Sequence, residues 1–259
     1  MDYTISVIIP TFNSSNYIHK PIESVAKQTY QVSKIFIVDD NSSDVSNLRL
    51  KIEELKNKVF QNIELISNNK NQGPGFSRNL AWSKCDTDLI AFLDDDDIWH
   101  EDKIFQQIEI FKKYKNVNLV AAKKKKLNEN LKYFFKIFEF KKIKFIKLIF
   151  KNIIPTSSVL IKRDIVYRFL NEKYAEDYFL WLSIVKEYDN CYFIEKIMCE
   201  ELNIKKSVKL SENQKLIKIN IDKILTQFYT KNIFLNSIIF IAKLYNLLKI
   251  NLKIFYKVP

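Results

Sequence analysis

Four consecutive carboxylates, Asp94-Asp95-Asp96-Asp97, follow the apolar run Leu89-Ile90-Ala91-Phe92-Leu93. So short a run reads as a buried strand, and it delivers the acids at its C-terminal end, the edge of an open α/β sheet where ligands bind. Adjacent charges repel one another, and a hard divalent cation, Mn²⁺ or Mg²⁺, is the simplest partner that makes such a cluster favourable. Strand alternation aims Asp94 and Asp96 one way, Asp95 and Asp97 the other. A solvated acidic turn is the competing reading. Farther along, Glu176-Asp177 precedes the apolar stretch Phe179 to Val185. At a helix start these acids suit the macrodipole, and facing the acidic loop across a cleft one of them is poised to take a proton.

The elements that must position these groups alternate strand and helix, which implies a parallel sheet. Strands are expected at Ile5–Ile9, ended by Pro10, at Ile35–Val38 running into Asp39-Asp40, at Ile63–Ile66, and at Leu89–Leu93. Helices are expected over Tyr17–Lys27 and from Val45. The only two glycines, Gly73 and Gly75, lie in one loop, where Pro74 opens a helix that carries Arg78. A helix over Glu101–Tyr114 and strands at Val117–Ala122 and Thr156–Ile161 follow, with a helix from near Glu176. Phe134 to Phe150 fits either strand or helix.

Charge divides the chain. Residues 1–100 hold 10 Lys+Arg against 14 Asp+Glu, and residues 101–259 hold 32 against 16, which makes the net +12 of the 259 residues. The run Lys123 to Lys126 reads as a solvated face, with contact to a diphosphate the minority reading. Residues 205–259 carry 11 Lys and two acids, and from Lys231 on polar residues recur at helical spacing among Ile, Leu, Phe and Tyr. No apolar run there approaches the roughly 20 residues that span a bilayer. A helix lying on an anionic membrane or packed on protein is expected. The three cysteines form no C-x-x-C, and Met1-Asp2-Tyr3-Thr4 has no basic-then-apolar start, so a reducing, cytoplasmic setting is expected. His19 and His100 have no ligand cluster and imply no zinc, and no nucleic-acid-binding signature accompanies the basic charge.

Several motifs, in order, resemble glycosyltransferase family 2 over about residues 4–205. They are Ser6-Val7-Ile8-Ile9-Pro10-Thr11-Phe12-Asn13, Val38-Asp39-Asp40-Asn41-Ser42-Ser43-Asp44, Asn71-Gln72-Gly73-Pro74-Gly75-Phe76-Ser77-Arg78-Asn79, Phe92-Leu93-Asp94-Asp95-Asp96-Asp97, and Glu176-Asp177-Tyr178-Phe179-Leu180-Trp181-Leu182. The resemblance implies an inverting enzyme of the α/β GT-A (Rossmann-like) fold, a mostly parallel sheet flanked by helices. Residues 1–205 would be the transferase domain and 206–259 a basic amphipathic helical extension.

By the same resemblance Pro10, Phe12, Asp39, Asp40, Arg78, Asp94 and Asp95 bind the nucleotide. Phe12 is a candidate for stacking on the base, although core packing is its commoner fate. Asp94 and Asp96 form the D-x-D pair that holds Mn²⁺ or Mg²⁺, and Asp177 is the catalytic base. Glu176, Trp99 and Trp181 are candidates for the sugar and acceptor side. The expected partners are a nucleotide-sugar donor, a UDP-hexose or UDP-N-acetylhexosamine, and a glycan or lipid-linked acceptor at the inner face of the cell membrane. His100-Glu101 replaces the family's usual proline step, and the processive Q-x-x-R-W motif is absent, so one sugar per encounter is expected. A nucleotidyltransferase and a decayed membrane-surface adaptor are the alternatives.

Overall fold

The computed structural model describes residues 2–125, 139–172, 174–204 and 213–255. Its N-terminal half forms β1 (Ile5–Thr11), α1 (His19–Ala26), β2 (Lys34–Asp39), α2 (Val45–Lys58), β3 (Ile63–Ser67), α3 (Pro74–Trp82), β4 (Leu89–Phe92), β5 (Asp97–Trp99) and α4 (Lys103–Lys113). There follow β6 (Leu119–Lys125), β7 (Phe140–Lys142), α5 (Phe145–Phe150), a 3₁₀ turn (Thr156–Ser158), β8 (Leu160–Lys162), α6 (Glu176–Glu187), β9 (Cys191–Glu201), α7 (Gln214–Thr226) and α8 (Ile233–Phe255).

The strands join in one sheet of order β3-β2-β1-β4-β8-β6-β9-β5, with β7 also on β9. Its first part, β3-β2-β1-β4, is parallel. From β4 onward the sheet is mixed: β8 runs antiparallel to both β4 and β6, and β5 and β7 run antiparallel to β9. β1 sits between β2 and β4, so strand order reverses there and opens a crevice at the C-terminal ends of β1 and β4.

β1 runs through Pro10 instead of ending at it. Pro10 lies beyond the last rung shared with β4, Ile8 opposite Phe92, so on that side no ladder donor is missing. Successive side chains feed opposite faces. Val7, Ile9, Ile35 and Ile37 enter one core cluster with residues of α1, α2 and α4, whereas Ile8, Phe36, Val38 and Phe92 enter the other with α3, α5 and α6. Ile224 and Leu225 of α7 and Ile239 and Ala242 of α8 belong to that second cluster. One face of the C-terminal helices therefore packs on the sheet's helical layer. No helix among the described residues is long and apolar enough to cross a membrane.

Thr156–Ile161 is not one strand, since its polar first half coils into the 3₁₀ turn. The ambiguous stretch contains β7 and α5, and residues 134–138 lie outside the described residues.

Candidate active site

The acidic loop is a tight turn. The Asp97 amide donates to the Asp94 carbonyl at 3.1 Å, and Asp97–Trp99 then pairs with β9. Because the chain turns back there, strand alternation fails. Asp94, Asp96 and Asp97 each offer a ligand atom within 4.8 Å of the others, while the Asp95 carboxylate turns to β1, accepting from Thr11 Oγ1 at 3.0 Å and the Phe12 amide at 3.3 Å.

Asp97 is fully buried. Its Oδ2 accepts from Lys124 Nζ at 2.5 Å and from the Ser157 hydroxyl, and its Oδ1 has no partner. Burial pushes its carboxyl up, and Lys124 pulls it back down. A buried, unpartnered carboxylate oxygen beside two further acids is a donor set that fits a hard cation such as Mn²⁺ or Mg²⁺.

Opposite this loop stand α3 and α6. Gly73, at φ 87°, caps α3, and the Asp40 carboxylate fixes that entry by accepting from the Gln72 and Gly73 amides and Asn68 Nδ2. A Cβ on Gly75 would lie 2.5 Å from the Leu170 carbonyl oxygen and 2.9 Å from Glu176 Cγ, so only glycine lets the two helix starts approach this closely. The approach allows Arg78 to donate to Asp94 Oδ1 at 2.7 Å and to Glu176 Oε1 at 3.0 Å. Burial works against the Arg78 charge, but Asp94 and Glu176 outweigh it and hold the guanidinium ionised. Burial, with Asp177 next to it, lifts the Glu176 carboxyl to about 7 against the pull of Arg78.

Asp177 is the second residue of α6, and its Oδ2 accepts from Thr156 Oγ1 at 2.9 Å. Burial raises its pKa, and the Thr156 hydrogen bond and Arg78 oppose the rise. Ala175, just before the helix, holds φ 58°, a left-handed conformation unfavourable for a residue with a Cβ. Next to Thr156, Ser157 Oγ accepts from the Asp94 amide at 3.2 Å and the Ser157 carbonyl accepts from Trp99 Nε1 at 2.7 Å.

The structure thus brings Arg78, Asp94, Asp96, Glu176 and Asp177 to one sheet edge. Asp39 is buried at the end of β2, where its carboxylate accepts from the Ser42 amide at 3.3 Å, and Pro10 lies buried in β1. Phe12, just past β1, is 46% exposed and so is not packed in the core. The sugar-side expectation for the tryptophans is corrected. Trp181 is fully buried against Phe92 and Phe169, and Trp99 is buried with Lys103 Nζ 3.9 Å from its ring centre. Lys124, Thr156 and Ser157 were not singled out by sequence, and Asp97 was named there only as part of the acidic run. The available signal was weak: one Lys within a basic run, and three hydroxyl residues at the mouth of an apolar strand.

A family model described as glycosyl transferase family 2 matches residues 6–170. The chain is 33% identical over 222 residues to the Escherichia coli UDP-Glc:alpha-D-GlcNAc-diphosphoundecaprenol beta-1,3-glucosyltransferase WfgD, covering 84% of this chain and 83% of that protein. The structure of S. aureus TarS 1-349 in complex with UDP-GlcNAc superimposes with a TM-score of 0.66 at 21% identity, over 87% of this chain and 71% of that one. The mannosyltransferase PcManGT from Pyrobaculum calidifontis, in complex with GDP-Man and Mn²⁺, gives 0.68 at 15% identity, over 95% and 70%. At such identities the solved structures establish the shared fold.

Proposed function

The chain belongs to glycosyl transferase family 2, and from that premise we propose that it moves a single hexose or N-acetylhexosamine from a UDP-sugar to a hydroxyl of a glycan or lipid-linked acceptor, inverting the anomeric centre. The observation that carries the reading is the link from Asp94 through Arg78 to Glu176-Asp177, which sets a buried carboxylate across from the acidic loop. Asp177 removes the acceptor's hydroxyl proton while that oxygen bonds to the anomeric carbon. The bond from that carbon to the UDP oxygen breaks on the opposite side, and UDP leaves with the electron pair. UDP is already a good leaving group, so a second, protonated carboxyl is not needed.

Asp94, Asp96 and Asp97 would hold a divalent cation, with Asp97 added to the pair expected from sequence. When bound, it would neutralise charge on the diphosphate. Asp39 and the exposed ring of Phe12 serve the base of the nucleotide. Asp40 and Asp95 act on it indirectly, by fixing the loop before α3 and the turn after β1. Glu176, through Arg78, ties the base to the metal loop.

A peripheral place on the inner membrane face is supported by α8. At 100° per residue, Ile233, Phe234, Phe240, Ile241, Leu244 and Tyr245 share one arc, opposite the buried Ile239 and Ala242, and all six are exposed. α5, which packs on α8, adds exposed Ile146, Lys147 and Lys151. An apolar arc of this kind beside lysines suits an anionic bilayer surface.

Calorimetric titration of UDP, GDP and CDP with Mn²⁺ present, then with a chelator, tests the catalytic reading. Selective UDP binding that chelation abolishes is expected. Equal binding of all three nucleotides, or binding indifferent to the metal, would overturn the donor and metal assignments.

A further inference from the structure

We propose that the 3₁₀ turn Thr156-Ser157-Ser158 is a positioning device that locks the base and the metal loop into one register, with Thr156 aiming Asp177 and Ser157 holding the acidic loop. The proposal rests on the assignment of Asp177 as base. Three consecutive hydroxyl residues, all buried, each make a different tie. Thr156 Oγ1 donates to Asp177 Oδ2 at 2.9 Å. Ser157 Oγ donates to Asp97 Oδ2 and accepts from the Asp94 amide, so one hydroxyl grips both ends of the acidic turn. Ser158 Oγ accepts from the Ala122 amide at 3.1 Å and donates to the Pro155 carbonyl, and the Ser158 carbonyl accepts from Gln107 Nε2 at 2.8 Å. Ser158 thereby anchors the turn to β6 and α4, two elements separate from α6.

The arrangement has a physical purpose. Asp177 sits on the first turn of α6, and its backbone alone leaves the χ angles that aim its carboxylate open. The Thr156 donor narrows that freedom, and holding reacting groups to a fraction of an ångström is what orientation requires. Consecutive peptide units set the distance from Thr156 to Ser157. The base and the acids therefore share one ruler, although the acids lie in the turn between β4 and β5 and the base on α6.

The test compares Thr156→Val, Thr156→Ser and Asp177→Asn for turnover, KM of the donor and calorimetric binding of UDP with Mn²⁺, after each variant's unfolding temperature has been checked. Thr156→Val keeps shape and loses the donor. It should lower kcat by about 10- to 100-fold, the usual worth of a hydrogen bond to a charged group, with donor KM and UDP affinity within about twofold of wild type. Thr156→Ser should regain most of the rate, and Ser157→Ala should instead weaken Mn²⁺-dependent UDP binding by about tenfold or more. Normal kcat in Thr156→Val while Asp177→Asn is inactive would overturn the positioning role and leave the base assignment standing. Serine and valine variants equally slow would also overturn it, since packing of the methyl group would then be the cause. Normal turnover in Asp177→Asn would remove the base assignment and this proposal with it.

Discussion

Replacing Arg78 by Met removes the cation that bridges Asp94 and Glu176 while keeping a side chain that can lie along Phe169, whose ring centre is 5.0 Å from the guanidinium carbon. The Arg78 side chain is 5% exposed, Asp94 28% and Glu176 11%, so the carboxylates left behind have little water to screen them. Breaking a buried pair by deleting one partner typically costs about 3–5 kcal/mol, because the other charge stays buried and uncompensated. For a chain of this size each kcal/mol moves the melting temperature by about 2–4 °C, so a fall of about 6–20 °C is expected by calorimetry at pH 7. Arg78→Lys should fall by less, since it keeps the charge and loses the two-pronged geometry. The loss in Arg78→Met should grow above pH 7 and shrink as pH falls below it, because Glu176, raised to about 7 with Arg78 in place and higher without it, then carries its proton in both proteins. A melting point within about 2 °C of wild type at pH 7 would show that the pair contributes nothing net, and the electrostatic account of how α3 and α6 are held would fail.

Gly75→Ala should destabilise the fold by about 1–3 kcal/mol in urea unfolding, because the new methyl meets a backbone oxygen that cannot step aside, and an unchanged midpoint would contradict the close approach. Glu176→Gln tests the sign of a raised carboxyl. Its folded value of about 7 against 4.5 means a stabilising contribution present below pH 4.5 and lost as pH rises towards 7, so the variant should gain in melting temperature relative to wild type across that window. A gap independent of pH would refute the shift. For α8, Phe240→Glu with Ile241→Glu should lower co-sedimentation with anionic vesicles by more than about tenfold without changing the melting temperature. These point changes are sharper than removing the helix, which would also strip Ile239 and Ala242 from the core. Equal co-sedimentation by both proteins would exclude the arc as the contact.

How much of this was legible depended on how local the signal was. The starts of α2, α3 and α6 at Val45, Pro74 and Glu176 follow from residues within one turn of each start, and the parallel strands follow from short apolar runs. β9 was missed because its pairing with β6 shifts register between Ala122 and Lys124, which breaks the two-residue period that a sequence reading needs. The acids could be named because they are contiguous or follow a family pattern, but their arrangement could not. Asp97 joins Asp94 and Asp96 through a turn, and Arg78 finds Glu176 across 98 residues. Trp99 and Trp181 were placed on the sugar side by their position next to motifs, whereas their bulk takes them inside.

The three-residue strand β8 has a consequence for the order of assembly. Among the described residues it is the sole sheet connection between the parallel half ending at β4 and the half built on β6 and β9, and it comes late in the chain, right after the turn that carries Thr156 and Ser157. During synthesis the acidic loop and Arg78 emerge well before their partners at Ser157 and Glu176, the Asp94 amide and the Ser157 hydroxyl being 63 residues apart. Contacts of such long range form slowly. The acidic loop and the start of α6 are thus joined across β8, and an unfinished chain holds the acids without their partners at Ser157 and Glu176.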